Sequence, residues 1–213
     1  MMKPVEIAKV YDQITSLWEN DEFDRNNGID QHERAIAFAK KKEYALDVGC
    51  GCTGRFIDLL LKYGFQPEGI DFSVEMVKLA RRKHPGVHFY HEDICEWQLP
   101  KKYDFITAWD SIWHVPLNQQ ENVTKKLLSS LDHGGVCIFS CGGVDEAAEH
   151  KDNAMGSEVY YSSLGVSGFL RVIADSGCLL RHLEYDQYPE SHLYVIVQKP
   201  VKSPGQGASA PLG

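Results

Sequence analysis

Leu46-Asp47-Val48-Gly49-Cys50-Gly51-Cys52-Thr53-Gly54-Arg55-Phe56 joins a short apolar run to an amphipathic one through a glycine-rich loop. Tyr44 to Val48 reads as a buried parallel strand, and Gly49, Gly51 and Gly54 fit the GxGxxG spacing between a strand and a helix. Glycines lack a Cβ, so a ligand can approach the backbone, and N–H groups entering a helix attract negative charge. The loop alone suits a dinucleotide phosphate or a carboxylate equally well. Asp47 separates the two. A carboxylate here repels a pyrophosphate over the turn but attracts the ammonium of an aminoacyl group, so the loop reads as a site for a zwitterion.

Outward from this loop, short apolar runs ending in Gly or Asp alternate with helical patterns, which implies a parallel sheet. The strand candidates are Tyr44 to Val48, Glu68 to Asp71, Val87 to His91, Phe105 to Trp109 and Val136 to Ser140. Ser73 caps a helix with Met76, Leu79 and Ala80 buried, stopping by Pro85. Asn118 with Glu121 reads as a capped start of another, carrying Leu127, Leu128 and Leu131 to a stop at Gly134 and Gly135. Upstream, Val5 to Trp18 places Ile7, Val10, Tyr11, Ile14, Leu17 and Trp18 on one helical face. Asp30 with Glu33 forms a capping-box pattern for a second helix. Downstream, Leu170, Ile173 and Ala174 mark a helical face stopped by Gly177. The runs Cys178 to Tyr185 and His192 to Gln198 follow, too close for a crossover helix, so the final strand is expected to pair antiparallel with its predecessor.

Two further acids follow strands in the same register. Asp71 is placed to accept from both hydroxyls of a ribose, and Asp93 from an adenine amino group, with the Ile94 N–H meeting a ring nitrogen. At these residues, over roughly Tyr44 to Lys199, the chain resembles the class I S-adenosylmethionine-dependent methyltransferases. The resemblance implies an α/β fold: a Rossmann-like seven-stranded, mostly parallel sheet with an antiparallel last strand and helices on both faces, here with an N-terminal helical cap. It implies S-adenosylmethionine as cofactor, its methionine part held by the loop of Asp47, Gly49, Cys50 and Gly51 and its ribose by Asp71. Phe72 would pack on the adenine, Asp93 and Ile94 read it, and Trp109 and Asp110 border the methionine and sulfonium. The family more often reads DxGxGxG. Here the third glycine is delayed to Gly54, which leaves the roles of Thr53 and Gly54 open, with Arg55 either a cofactor contact or a surface charge.

The acceptor is expected near the fourth strand end, since ligands of open α/β sheets lie over the carboxyl ends of the strands. Ala108-Trp109-Asp110-Ser111-Ile112-Trp113-His114-Val115-Pro116 is rich in aromatic and polar groups for a connection. His114 would orient an acceptor or take its proton, with Asp110 beside it as the other catalytic candidate and Trp113 as an apolar wall; the bland alternative packs Trp113 and His114 beneath the N-terminal helix. No Asn/Asp-Pro-Pro-Tyr/Phe stands at this position, which within the family argues against methylation of planar nitrogens on bases and glutamine. Cys141 to Tyr161 is long for a crossover and reads as a substrate cover, with Tyr160 and Tyr161 facing the acceptor.

With 43% hydrophobic, 24% charged and 11% aromatic residues in 213, the chain has an ordinary globular composition. A net charge of −8, from 30 acidic and 22 basic residues, gives no long-range attraction to nucleic acid or anionic membrane. The basic cluster Lys78, Arg81, Arg82 and Lys83 reads as a solvated helix face. No apolar run is long enough to span a bilayer, the start lacks a signal-peptide core, and no cysteine pair has zinc or redox spacing, so a cytoplasmic protein with six reduced, mostly buried thiols and no metal is expected. The expected divisions are a helical cap over 1–43, a cofactor-binding domain over 44–200 and a disordered tail over 201–213. A small-molecule O- or N-methyltransferase is the leading reading. The alternatives are a methyltransferase acting on protein or RNA, a nicotinamide-dependent oxidoreductase, which Asp47 and the closing hairpin disfavour, and a cofactor-binding protein without catalysis.

Overall fold

The near-continuous apolar runs of the central strands call for helices packed on the sheet faces. In the computed structural model, which describes residues 4–153 and 155–202, β1 (Tyr44–Val48), β2 (Gln66–Asp71), β3 (His88–His91), β4 (Tyr103–Ala108) and β5 (Leu131–Gly142) run parallel. β8 (Leu179–Glu184) and β9 (His192–Gln198) complete a seven-stranded sheet of order β3-β2-β1-β4-β5-β9-β8, with β9 antiparallel to both its neighbours. The expected fold class is therefore observed.

Alternation along the strands divides the core in two. Ala45, Phe105, Ile138 and Tyr194 face α3 (Ile29–Ile36) and α4 (Arg55–Lys62). Leu46, Ile106, Phe139 and Val195 face α6 (Leu117–Ser129) and α7 (Gly165–Asp175). Ile57 of α4, Val77 of α5 (Val74–Lys83) and Phe89 form a smaller third cluster. The cysteines are all free, and only Cys95 is not buried.

Tertiary contacts override several local signals. The expected single helix over Val5 to Trp18 is α1 (Pro4–Gln13) followed by the short α2 (Ser16–Glu19), and Leu17 is exposed. Asp30 does not cap α3. The helix starts after Gly28, held at φ 85° where a Cβ would stand 2.9 Å from Trp109, and Asp30 lies inside its first turn. Asn118 does not cap α6 either: the chain enters from Pro116, and the Leu117 N–H donates to the distant Tyr160 hydroxyl at 3.1 Å. That helix stops at Ser129, and Gly134 and Gly135 lie within β5, where a Cβ on Gly135 would be 2.8 Å from the Tyr103 carbonyl. In α7 the buried face is Phe169, Val172 and Ile173, with Leu170 exposed. Ser73 does cap α5, accepting from the Met76 N–H at 3.1 Å. Of the basic cluster, Arg81 and Lys83 reach back to the Phe89 and Thr53 carbonyls.

The long segment after β5 forms a hairpin of β6 (Ala148–Asp152) and β7 (Val159–Ser163). The expected tail lies, from residue 203, outside the described residues. Among the described residues no helix is long and apolar enough to cross a membrane, and no cluster of His, Cys, Asp and Glu is arranged to hold a metal ion.

Candidate active site

A cleft opens over the carboxyl ends of β1, β2 and β4, and α1 lies across it. Its wall includes Gly49, Asp71, Phe72, Asp93, Ile94, Asp110 and His114 from the sequence reading, together with Ile7, Ala8 and Tyr11 of α1, Glu92 and Ser111. The glycine loop is fixed from beneath: the Gly49 and Cys50 N–H groups both donate to the Ile70 carbonyl, at 2.8 and 3.0 Å. Gly49 has φ 70°, and a Cβ on it would come within 2.3 Å of the Ser111 Cβ, so only glycine lets the two loops meet. Gly51, at φ 54°, has open space where a side chain would stand.

Asp71 ends β2 at the centre of this floor. Its Oδ2 accepts from the Gly51 N–H at 2.9 Å and its Oδ1 from the Ser73 N–H at 2.8 Å. Burial pushes its carboxyl up, and the backbone donors only partly offset that. Each oxygen keeps a further lone pair for a ligand hydroxyl. Asp47 sits lower, 2% exposed; burial raises its pKa to about 7, the nearby Arg55 guanidinium opposing and Asp71 adding to the rise. Asp93 accepts from the Cys95 N–H at 2.8 Å, and Lys126 pins this turn by donating to the Ile94, Cys95 and Trp97 carbonyls.

Other residues singled out in the sequence lie away from the cleft. The Cys50 thiol is in the small core cluster. Arg55 stands behind the loop, donating to the Asn27 carbonyl at 3.1 Å and lying over the Phe23 and Phe56 rings. Trp109 is 3% exposed, packed among His32, Phe56, His192 and Tyr194. Tyr160 and Tyr161 leave β7 on opposite sides. The Tyr160 hydroxyl donates to Glu149, while the Tyr161 ring meets His114 at 4.9 Å and Trp113 at 6.3 Å.

His114, in a 3-10 turn over Ile112–His114, is both packed under α1 and part of the cleft wall. Its Nδ1 faces the Tyr160 carbonyl at 2.9 Å, which can only accept, so the proton is on Nδ1. Its Nε2 then accepts from the Tyr11 hydroxyl at 2.6 Å and from Trp113 Nε1 at 3.1 Å. Burial lowers its pKa to about 4, against the opposing pull of the Tyr160 carbonyl and Asp110.

The packing of His114 under the N-terminal helix was one of the two sequence readings and is observed, whereas Ser111 and the Ile7 and Ala8 contacts escaped the sequence reading. The Ser111 Oγ is buried at the cleft with no partner, an orphan hydroxyl next to Gly49. The orphan hydroxyl, the space over Gly51 and the paired acids Asp71 and Asp93 fit a polar nucleoside carrying an aminoacyl chain.

The family model for a methyltransferase domain matches residues 45–135. Malonyl-[acyl-carrier protein] O-methyltransferase 1 of Ilyobacter polytropus is 31% identical over 141 residues, covering 64% of this chain and 49% of that protein. Trans-aconitate 2-methyltransferase of Rhizobium etli is 30% identical over 94 residues, covering 43% of this chain and 36% of its own length. The chain thus spans half or less of these relatives. Among solved structures, an S-adenosylmethionine-dependent methyltransferase of Clostridium acetobutylicum superposes with a TM-score of 0.67 at 16% identity, covering 91% of this chain and 97% of that one. Magnesium protoporphyrin IX methyltransferase of Synechocystis, solved with bound S-adenosylmethionine, superposes with a TM-score of 0.62 at 16% identity over 93% and 85% of the two chains. Residues 45–135 thus match the methyltransferase-domain family model, and the chain has the fold of the solved class I S-adenosylmethionine-dependent methyltransferases.

Proposed function

We propose that the protein transfers a methyl group from S-adenosylmethionine to an oxygen or nitrogen of a small acceptor. The observation that carries this reading is the run of Gly49, Ser111, Asp71 and Asp93 along one floor of a cleft roofed by α1. When bound, S-adenosylmethionine supplies a methyl carbon made electrophilic by its sulfonium. Asp71 would take the ribose hydroxyls, Asp93 and Ile94 the adenine edge against Phe72, and Gly49, Gly51 and Asp47 the methionine end. The cover formed by α1 favours an acceptor small enough to be enclosed, and enclosure excludes water from the reacting groups. Holding two reactants at near-attack distance contributes about 7–11 kcal/mol without a strong catalyst.

His114 fits an orienting role better than a proton-accepting one. A base works best with a pKa near the working pH, whereas burial holds His114 at about 4 and Tyr11 already donates to its Nε2. The described cleft wall carries Asp71, Glu92, Asp93 and Asp110 but no Lys or Arg, which favours an uncharged or cationic acceptor over a carboxylate.

Calorimetric titration with S-adenosylhomocysteine tests the reading. Wild type is expected to bind, Asp71→Ala to lose affinity by at least about a hundredfold through two missing charge-assisted bonds, and NAD to give no heat. His114→Ala should keep that affinity while turnover falls. Undiminished affinity in Asp71→Ala would remove the cofactor assignment.

A further inference from the structure

His192 opens β9, and because β9 runs against the parallel strands its first residue arrives at the ligand end of the sheet, opposite Gly142 of β5. The ring is 7% exposed and lies between two carboxylates. Nδ1 is 2.5 Å from Asp186 Oδ1, and Nε2 is 3.0 Å from Asp110 Oδ1. Carboxylates accept, so serving both requires a proton on each ring nitrogen, which makes the ring an imidazolium. Asp186, in the β8–β9 connection and 6% exposed, is braced on its other oxygen by Gln31 Nε2 of α3 at 2.7 Å. The Trp109 and Trp113 rings flank His192 at 5.3 and 5.7 Å.

The far end of this chain of bonds is a cleft residue. Asp110 follows β4 with φ 51°, a left-handed conformation rare outside glycine, and it lines the same cleft as Gly49, Asp71 and His114. Ser140 of β5 secures the turn, accepting from the Asp110 N–H at 2.7 Å and donating to its Oδ1 at 3.1 Å. A backbone held in a sparsely populated region persists only when its surroundings over-determine it, and such positions gather at ligand sites. Here two strands bond the Asp110 carboxylate directly, β5 through Ser140 and β9 through His192, and the β8–β9 connection and α3 support His192 through Asp186 and Gln31.

We propose that His192 and Asp186 are positioning residues, a charged Asp186–His192–Asp110 relay that fixes the Asp110 carboxylate at the cleft wall for the positive end of the bound methyl donor. The proposal rests on the function proposed above. Burial pushes the His192 imidazole down, and its bonds to Asp110 and Asp186 outweigh that, so the net shift is upward. The charged groups facing it are these two acids, and Arg55 and His114 feel the charge of Asp110.

Two measurements test the relay. Nitrogen-15 NMR of the ligand-free protein at neutral pH is expected to show both His192 ring nitrogens protonated, and only one in Asp186→Asn. Calorimetry with S-adenosylhomocysteine is expected to show affinity about tenfold lower in His192→Ala and in Asp186→Asn. His192→Gln should recover most of the loss, because its amide donates from the place of Nε2. A singly protonated His192 in wild type, undiminished affinity in folded His192→Ala or Asp186→Asn, or no recovery with Gln overturns the proposal. If wild type itself fails to bind S-adenosylhomocysteine, the proposed function falls and the positioning role with it, the NMR spectrum then reporting only whether the charged relay exists.

Discussion

Asp47 is a carboxylate buried beneath the loop it serves, and burial carries its pKa from 3.8 to about 7. Between those values the native state keeps a proton that the unfolded chain has released, so its contribution to stability declines as pH rises through that window and stays low above it. Asp47→Asn is therefore expected to be more stable than wild type above neutral pH, by roughly 1–4 kcal/mol, with the difference shrinking toward zero in acid. It should also bind S-adenosylhomocysteine more weakly, since the attraction for an ammonium is gone. Thermal melts across pH and a calorimetric titration check both halves; a variant less stable than wild type at alkaline pH would refute the account. The position of Asp47 at the base of the loop was legible from its place before Gly49. Ser111 was not, because its only distinction is an unpartnered hydroxyl, which exists only once the two loops meet.

At the scale of elements, α1 decides whether the cleft has a roof. It is tied to α5 by Asp12, which accepts from the Ser73 Oγ at 2.6 Å and the Glu75 N–H at 3.2 Å, and to the acceptor side by Tyr11 through His114. Val5 is exposed and only Ile7 of its apolar face is fully buried, so polar ties hold much of this helix. Asp12→Ala should loosen it by about 1–2 kcal/mol, seen as faster amide exchange confined to α1, together with weaker S-adenosylhomocysteine binding because Ile7, Ala8 and Tyr11 leave the wall. Unchanged exchange in α1 would show that Asp12 does not tether it. The amphipathic pattern of this segment was readable, but its break after Gln13 was not. Likewise Asn118 looked like a cap, and the α6 terminus is instead met by the Tyr160 hydroxyl from a different part of the chain.

At the scale of the whole molecule, two buried imidazoles, His32 and His114, stay neutral. Burial lowers His32 to about 3 and His114 to about 4. A histidine whose pKa is depressed in the fold contributes stability that is complete above its unfolded value, ~6.5, and is lost as pH falls toward the folded value. Asp47 works in the opposite sense over much of the same range. Asp71, raised by burial, and His192, raised by its two acids, act in the same sense as Asp47, so the test is a difference: the melting temperature is expected to fall more steeply on acidification in Asp47→Asn than in wild type. An acid loss no steeper in Asp47→Asn than in wild type would contradict this account.

The sequence by itself determined the succession of the seven main-sheet strands along the chain, the glycine loop with Asp47, and the strand-end acids Asp71 and Asp93. Those signals are local: apolar period, glycine spacing and the position of an acid at the end of a run. Only the tertiary structure decided what stands opposite them. His192 and Asp186 sit more than seventy residues beyond Asp110 in the chain, and no spacing rule links them to it; the reversal of β9 against β5 does, by delivering the start of the last strand to the carboxyl ends of the others. Tyr11 on His114 and Gly49 against Ser111 have the same origin. Each is a contact between groups whose separation in sequence carries no pattern and whose meeting is fixed by packing.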